Sequence, residues 1–286
     1  MDIGTFGVWS SLLRSAPVGD AARGARRIEA LGFGAAWLPS GEAGQMERVR
    51  ALVEGTATLR VATGILNLYR EPDPGRTAEA FSAIDRAHPE RVLLGIGVGH
   101  PQALAAGEYG PPLATMGRYL DGLDTATQPV PVHRRALAAL RPGMLRLARD
   151  RSLGAHPYLT TPEHTAEARA ILGTQALLAP EQAVVLERDA DRARGIARTH
   201  LEHYLQLTNY AGNFRRMGFE DADLAEGGSD RLVDALVGWG DLDAVTKRIT
   251  AHLDAGATHV TIQVLTATPK AFPIAEWQTL AEALLD

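Results

Sequence analysis

Apolar residues recur along the chain in short runs that alternate with amphipathic stretches. The clearest run is Arg91–His100 (RVLLGIGVGH), which ends in alternating glycines and a histidine. A short apolar run between turn signals predicts a strand buried on both faces, typical of a parallel sheet covered by helices. Gly95, Gly97 and Gly99 leave one face of this strand without side chains, so we expect something to occupy the space. We interpret the end of this strand as one wall of a ligand pocket.

Similar runs predict seven further strands, and helical patterns lie between them. The other strands are Ile3–Trp9, Ala35–Leu38, Leu59–Leu68, a weak strand at Val130–His133, Leu153–Leu159, Gln182–Leu186 and His259–Leu265. The helices are expected from Asp20 to Gly32, around Glu47–Glu54, and at Pro74–Ala87, Met116–Leu123, Met144–Arg149, Pro162–Gly173, Asp191–Leu207, Ser229–Val237 and Leu242–Ala255, with a last one from Ala275. Eight strands alternating with helices favour an α/β fold, a single (βα)₈ TIM barrel over residues 1–286 with a helical insertion before the last βα unit. A doubly wound sheet is the main alternative.

Composition narrows the classes of function. The formal net charge of −5 gives no electrostatic reason to expect nucleic acid or an anionic membrane surface as a partner. The chain has no cysteine, which excludes disulfides, thiolate nucleophiles and cysteine-ligated metal centres. The first residues lack the basic and apolar segments of a signal peptide, and no apolar run approaches the roughly 18 residues of a membrane span. We therefore expect a cytoplasmic protein that acts on a small molecule.

Sites in (βα)₈ barrels lie at the carboxyl ends of the strands. That rule selects Trp9, Ser40 with Glu42, Asn67 with Tyr69, His100, Leu140–Gly143, His156 with Tyr158, and Gln263. His100 is the best single candidate, because an imidazole can donate or accept a proton near neutral pH. Each of these residues also has an ordinary alternative role: a loop hydrogen bond for His100, and packing for Trp9, His156 and Tyr158.

The stretch Ala138–Gly143 (AALRPG) opens an amphipathic helix. Proline at the first turn leaves free backbone N–H groups that can bind phosphate, and Arg141 would add positive charge. An ordinary helix start explains the same residues equally well.

Several catalytic motifs are missing from the sequence. Gly95–Gly99 lacks the third glycine of a dinucleotide-binding fingerprint, and no phosphate-binding P-loop, H-E-x-x-H or G-x-S-x-G motif is present. The one histidine spacing that suits a metal, His200 with His203, falls on a surface-like helix, so no metal site is predicted. Few titratable groups follow the strands, which favours a large planar cofactor that carries the chemistry.

The chain resembles the bacterial-luciferase-like superfamily, and within it the oxidoreductases that use the deazaflavin coenzyme F420. The most specific stretches are Ala62–Arg70 (ATGILNLYR), Leu93–His100 and Tyr109–Leu123 (YGPPLATMGRYLDGL); Ser152–Tyr158 and Ser229–Asp241 are also family-like. The resemblance implies a cofactor in the carboxyl-terminal mouth of the barrel, a non-prolyl cis peptide at Gly64–Ile65 behind its ring, and a homodimer.

The strand-end rule and the resemblance together give a set of expected site residues. Cofactor contacts are expected from Ser40, Gly64, Ile65, Asn67, Gly97, Gly99, His100, Ala139, Leu140, Arg141, Pro142 and Gly143, the last five receiving the phosphate. Substrate contacts are expected from Trp9, Glu42, Tyr69, His156 and Tyr158. Several relatives carry an acidic residue and a histidine where this chain has Ser40-Gly41, so His100 becomes the stronger candidate for proton transfer.

Three functions are compatible with these residues. The first is an F420-dependent oxidoreductase that transfers hydride between the deazaflavin and a C=C, C=N or alcohol/carbonyl group, with His100 moving the proton. The second is an FMN-dependent monooxygenase supplied by a partner reductase. The third is a non-catalytic barrel that has lost cofactor binding.

Overall fold

The computed structural model describes residues 1–41, 44–103 and 109–285 and consists of alternating strands and helices. Strands β1 to β11 span Phe6–Trp9, Ala35–Leu38, Arg60–Thr63, Leu66–Asn67, Val92–Gly97, Arg135–Leu137, Gly154–Ala155, Leu177–Leu178, Glu181–Val185, Val237–Trp239 and Val260–Val264. Helices α1 to α13 span Leu12–Ser15, Val18–Ala30, Gln45–Glu54, Pro74–Ala87, Pro112–Thr125, Pro142–Arg151, Pro162–Leu172, Ala190–Leu205, Thr208–Arg216, Asp221–Leu224, Asp230–Leu236, Leu242–Asp254 and Ile274–Leu284. Across these ranges, no helix is both long enough and apolar enough to cross a membrane.

The strands form a closed parallel barrel. The order β11-β1-β2-β3-β5-β6-β7-β8 runs around the sheet, and β4 extends β3 along β5. The segment between β8 and β9 completes the ring, because Ala179 N–H donates to Ala155 O on one side and Thr261 N–H donates to Pro180 O on the other. The predicted (βα)₈ barrel is confirmed, and α8 to α11 form the predicted helical insertion before the last βα unit.

Two glycines end helices at equivalent junctions, as their similar sequences predict. Gly32 follows α2 with φ +88°, and Gly256 follows α12 with φ +98°. This left-handed conformation favours glycine, because a side chain would clash with the backbone. Both junctions turn the chain directly into a strand that pairs with β1, namely β2 and β11.

The prediction of a weak fifth strand at Val130–His133 is wrong. Residues Val132–Arg134 form a 3₁₀ turn, and the strand is Arg135–Leu137. Two arginines made this strand hard to recognise in the sequence, because charged residues seldom occur in a buried strand. The Arg134 guanidinium donates to Val92 O at 3.1 Å, and the Arg135 guanidinium donates to Val130 O at 3.0 Å. Backbone carbonyls and nearby carboxylates therefore satisfy both charges inside the protein.

Other strands also differ from the prediction. The sixth strand, expected at Leu153–Leu159, is limited to Gly154–Ala155. The seventh strand, expected at Gln182–Leu186, is replaced by two strands, β8 and then β9 at Glu181–Val185. An unpredicted strand, Val237–Trp239, pairs with β9. The third strand, expected to be continuous over Leu59–Leu68, is interrupted at Gly64 and Ile65.

The interruption of the third strand is a bulge that the fourth strand accommodates with glycines. Ala62 pairs with Leu93 and Leu66 pairs with Ile96, so the third strand carries one extra residue between the two pairs. A Cβ on Gly95 would lie 1.8 Å from Thr63 O, and a Cβ on Gly97 would lie 2.4 Å from Ile65 Cδ1.

The space beside the third glycine of the row is filled in the same way. A Cβ on Gly99, which has φ +75°, would lie 2.4 Å from Asn67 Nδ2. The space expected for a ligand beside the three glycines is therefore taken largely by alternate residues of the third strand. Gly97 and Gly99 nevertheless reach the ligand cavity described below.

The glycine row leads to a stability prediction. Replacing Gly95 with Ala forces a methyl group onto the backbone carbonyl of Thr63, which cannot move without breaking the barrel. We expect a loss of about 3 kcal/mol or more in the free energy of unfolding, measured by urea denaturation. The control is Gly117→Ala within α5, where an added Cβ meets no atom of the described residues within 4 Å. That change should stabilise the protein by about 0.5–1 kcal/mol. Equal urea midpoints for Gly95→Ala and the unmodified protein would contradict the close packing.

Candidate active site

A cavity of about 450 Å³ opens at the carboxyl ends of the fourth and fifth barrel strands, β5 and β6. Its walls are mainly apolar, and the polar groups are few. The residues that line the cavity are Ile65, Gly97, Val98, Gly99, His100, Tyr109, Pro111, Pro112, Leu113, Ala138, Ala139, Leu140, Arg141, Gly143, Met144, His156, Tyr158, Asn209 and Tyr210. An apolar cleft with a small number of convergent polar groups is typical of small-molecule sites.

The third-strand bulge reaches this cavity through Ile65, and its Gly64–Ile65 peptide bond is cis, as the family resemblance implies. Side chains from two neighbouring elements hold its carbonyls. Trp9 Nε1–H donates to Gly64 O at 3.2 Å, and the Gln45 side-chain amide donates to Ile65 O at 3.3 Å. Trp9, expected to contact substrate, is therefore placed as a support of the bulge. Gln45 was not predicted, because a single glutamine on a helix carries no recognisable signal in the sequence.

His156 follows the sixth strand and lies at the base of the cavity. Its side chain is 2% exposed, and its ring stacks on Trp37 with centroids 4.3 Å apart. Nδ1 lies 2.7 Å from Ala179 O, whereas Nε2 has no hydrogen-bond partner among the described residues. Burial lowers the pKa of His156 to about 4, so the ring is neutral near pH 7.

His100 also lines the cavity and is in contact with the helical insertion. Its Nδ1 is 3.4 Å from Asn209 Nδ2, and its ring is 5.3 Å from that of Tyr210. Burial, and to a smaller extent the neighbouring His203, lower the pKa of His100 below its ordinary value of 6.5. The imidazole is therefore mainly neutral at pH 7, the form that accepts a proton.

Tyr158 separates this cavity from a second one. Its hydroxyl donates to Gln263 Oε1 at 2.8 Å and lies 3.1 Å from the Tyr204 hydroxyl. Beyond this wall, a cavity of about 750 Å³ lies between α8 and the ends of β1 and β11, lined in part by Trp9 and His200. Burial raises the pKa of Tyr158 well above its ordinary value, so the phenol stays protonated and acts as a donor.

A carboxyl group lies unexpectedly inside the barrel. Glu181 is 1% exposed, and one of its oxygens accepts a hydrogen bond from Leu159 N–H at 3.3 Å. Burial raises the pKa of Glu181 to about 8, so this group is mainly protonated near pH 7. Glu181 thus adds a polar group but little negative charge to the interior of the barrel.

The fifth-strand loop, expected to receive a phosphate, borders the cavity. Helix α6 begins at Pro142, so the N–H groups of its first turn are free of helical partners. His164 Nε2 lies 2.8 Å from Leu140 O and holds the loop to α7. The exposed Arg141 guanidinium lies against Gly212 of α9, which keeps its positive charge at the rim.

Most of the predicted residues converge on the cavity. Those that line it are Ile65, Gly97, Gly99, His100, Ala139, Leu140, Arg141, Gly143, His156 and Tyr158. Ser40, Gly64, Asn67, Tyr69, Pro142 and Trp9 are not among its lining residues, and Glu42 lies outside the described residues.

Several predicted residues that do not line the cavity make structural contacts instead. Asn67 Oδ1 accepts from Tyr69 N–H at 2.9 Å, and the Tyr69 hydroxyl accepts from Gly110 N–H at 2.9 Å. At Gly41, the adjacent space is filled by the Arg14 side chain, which would lie 2.7 Å from an added Cβ. Asn209 and Tyr210, which complete the wall, were missed because they come from the irregular insertion.

Comparisons with known proteins concern the family match and the fold. A family model described as luciferase-like monooxygenase matches residues 1–121, and no curated protein sequence matches the chain. An F420-dependent secondary alcohol dehydrogenase in complex with an F420-acetone adduct superposes with a TM-score of 0.76 at 14% identity, covering 99% of each chain. The coenzyme F420-dependent tetrahydromethanopterin reductase of Methanopyrus kandleri gives 0.69 at 15% identity, over 100% of this chain and 99% of that one.

An FMN complex is also among the similar structures. The oxygenating constituent of 3,6-diketocamphane monooxygenase from the CAM plasmid of Pseudomonas putida superposes with a TM-score of 0.65 at 16% identity, over 98% of this chain and 96% of that one. At these identities the likeness concerns the fold. The resemblance to luciferase-like proteins inferred from the sequence is thus confirmed: residues 1–121 match the model of the luciferase-like monooxygenase family, and the chain as a whole has the barrel fold of these similar structures.

Proposed function

We propose that this protein is an F420-dependent oxidoreductase that transfers hydride between the deazaflavin and a small organic substrate. The observation that carries the proposal is the cavity bordered by Ile65 of the bulge and by Gly97 and Gly99 of the glycine row. Two of the similar structures, the alcohol dehydrogenase and the tetrahydromethanopterin reductase, are F420-dependent.

The residues present fit a planar, partly polar cofactor. Ile65, Val98 and Tyr210 would border the ring system, and the buried Nε2 of His156 offers a hydrogen-bond acceptor. The first turn of α6 with Arg141 would hold a phosphate at the rim, through free N–H groups and positive charge. A bound deazaflavin would supply the hydride chemistry.

His100 is the group we assign to proton transfer. It lines the cavity, and its lowered pKa keeps it neutral at pH 7. A neutral imidazole can remove the hydroxyl proton of an alcohol, so the environment favours alcohol oxidation over protonation of a carbonyl oxygen. Asn209 and Tyr210, on the covering helix α9, would orient the ring.

An FMN-dependent monooxygenase is the second candidate. The same cavity suits an isoalloxazine ring, and the 3,6-diketocamphane monooxygenase component was solved with FMN. Such an enzyme would receive reduced flavin from a partner reductase and would consume oxygen.

A binding titration separates the two candidates. Purified protein is titrated with F420 and, separately, with FMN at near-physiological salt, with cofactor fluorescence as the readout. We expect saturable binding of F420 and weaker binding of FMN. Tight FMN binding together with oxygen uptake would favour the monooxygenase, and absence of F420 binding would refute the proposal.

Replacing His100 with Ala should leave F420 affinity nearly unchanged. Turnover should slow by about 10²–10⁴-fold, the usual range for loss of a general acid or base. The matched control is His133→Ala, since His133 is exposed on the 3₁₀ turn before β6. Unchanged turnover in His100→Ala would remove His100 from the mechanism.

The same assignment predicts a pH dependence. For alcohol oxidation, kcat/KM should fall as pH drops through the pKa of His100, below 6.5, because the protonated ring cannot accept a proton. The profile of His100→Ala should lack this acid limb. An acid limb of the same shape in both proteins would assign the titration to another group.

A further inference from the structure

The imidazole of His156 is held on one edge and one face, while the nitrogen on its other edge is buried without a hydrogen-bond partner among the described residues. Nδ1 lies 2.7 Å from Ala179 O, and the ring stacks on Trp37 at an interplanar angle of 24°. A carbonyl oxygen can only accept a hydrogen bond, so Nδ1 must carry the hydrogen. In the neutral ring, Nε2 is therefore a lone-pair acceptor, and it has no partner among the described residues.

The unpartnered nitrogen lies at the boundary of the candidate site. His156 lines the 450 Å³ cavity, and a Cβ on Gly64 would lie 3.0 Å from Nε2, which places that atom beside the cis peptide. A buried acceptor without a donor destabilises the protein, and such groups are often found where a ligand completes the hydrogen bond.

We propose that His156 Nε2 accepts a hydrogen bond from the bound cofactor and selects for a donor group at that position. This assignment rests on the proposed function and moves His156 from the expected substrate contacts to the cofactor contacts. The donor must be an N–H or O–H group. Deazaflavin and flavin rings both offer an imide N–H, and their ribityl chains offer hydroxyls. A carbonyl oxygen at this position would repel the lone pair.

His259 provides a matched comparison within the same barrel. It is also buried, with a pKa lowered to about 4 by burial, and its Nδ1 lies 2.7 Å from Gly4 O. Its Nε2, however, accepts from Trp37 Nε1–H at 3.1 Å, and it is not among the residues that line the cavity. Loss of His259 Nε2 should therefore disturb the core around Trp37, the ring that stacks on His156, without removing an atom from the cavity wall.

The test compares the affinities of three variants for F420 and FMN. His156→Asn keeps an amide N–H near Nδ1 for Ala179 O but places no atom at Nε2. We expect its cofactor affinity to fall about tenfold, the usual effect of one lost hydrogen bond to a buried group. His156→Gln restores an acceptor near Nε2 and should recover affinity to within about threefold of the unmodified protein. His259→Asn, the control, removes the acceptor of the same Trp37 ring that stacks on His156, so it measures how far disruption of the core beneath His156 weakens binding. We expect its loss of affinity to be clearly smaller than that of His156→Asn.

Distinct outcomes refute distinct claims. Binding of neither cofactor by the unmodified protein refutes the proposed function, and this assignment with it. Cofactor binding that is as tight in His156→Asn as in the unmodified protein refutes the assignment alone. An equal loss of affinity in His156→Asn and His259→Asn also refutes it, because the effect would then follow from core disruption.

A measurement on the unmodified protein covers the case in which His156→Asn does not fold. In ¹⁵N-labelled protein, the resonance of His156 Nε2, assigned by its absence in His156→Gln, reports whether that nitrogen accepts a hydrogen bond. We expect it to move upfield when the cofactor is added. An unchanged resonance at saturating cofactor would overturn the assignment.

Discussion

The close contact between the third and fourth barrel strands determines the shape of the site. Gly95, Gly97 and Gly99 leave room on one strand for Thr63, Ile65 and Asn67 of the other. This fit accommodates the extra residue of the third strand, and the hydrogen bond from Thr63 Oγ1 to Gly95 O at 2.7 Å closes the contact. The bulge in turn brings Ile65 to the cavity, with its carbonyl held by Gln45. A side chain at any of the three glycine positions would move the wall of the cavity.

The chemistry of the mouth follows from burial. His100 and His156 both have lowered pKa values, so the two imidazoles that line the cavity are neutral near pH 7. Glu181 is kept mainly protonated by the same effect. The positive charge named at this site, that of Arg141, lies at the rim. Neutral polar groups inside and a cation outside suit a ligand with a planar ring and an anionic tail.

The parts of the fold that depend on periodic patterns could be predicted from the sequence. The helix Pro74–Ala87 and the strand Ala35–Leu38 have the predicted bounds, because proline, helical spacing and a four-residue apolar run mark them clearly. The strand Arg135–Leu137 could not be predicted, since the charges of Arg134 and Arg135 are paired by tertiary contacts, with Val92 O and with Asp124. For the same reason Gln45, Asn209 and Glu181 were missed: their roles arise from tertiary contacts. The cis peptide was predicted by family resemblance alone.

A crystal structure of the protein grown with F420 would test the proposed site most directly. We expect electron density for the deazaflavin ring inside the cavity between Ile65, Gly97 and His156, with a ring or ribityl donor within hydrogen-bond distance of His156 Nε2. Density for the cofactor elsewhere on the protein, or a cavity that stays empty at saturating F420, would contradict this assignment of the site.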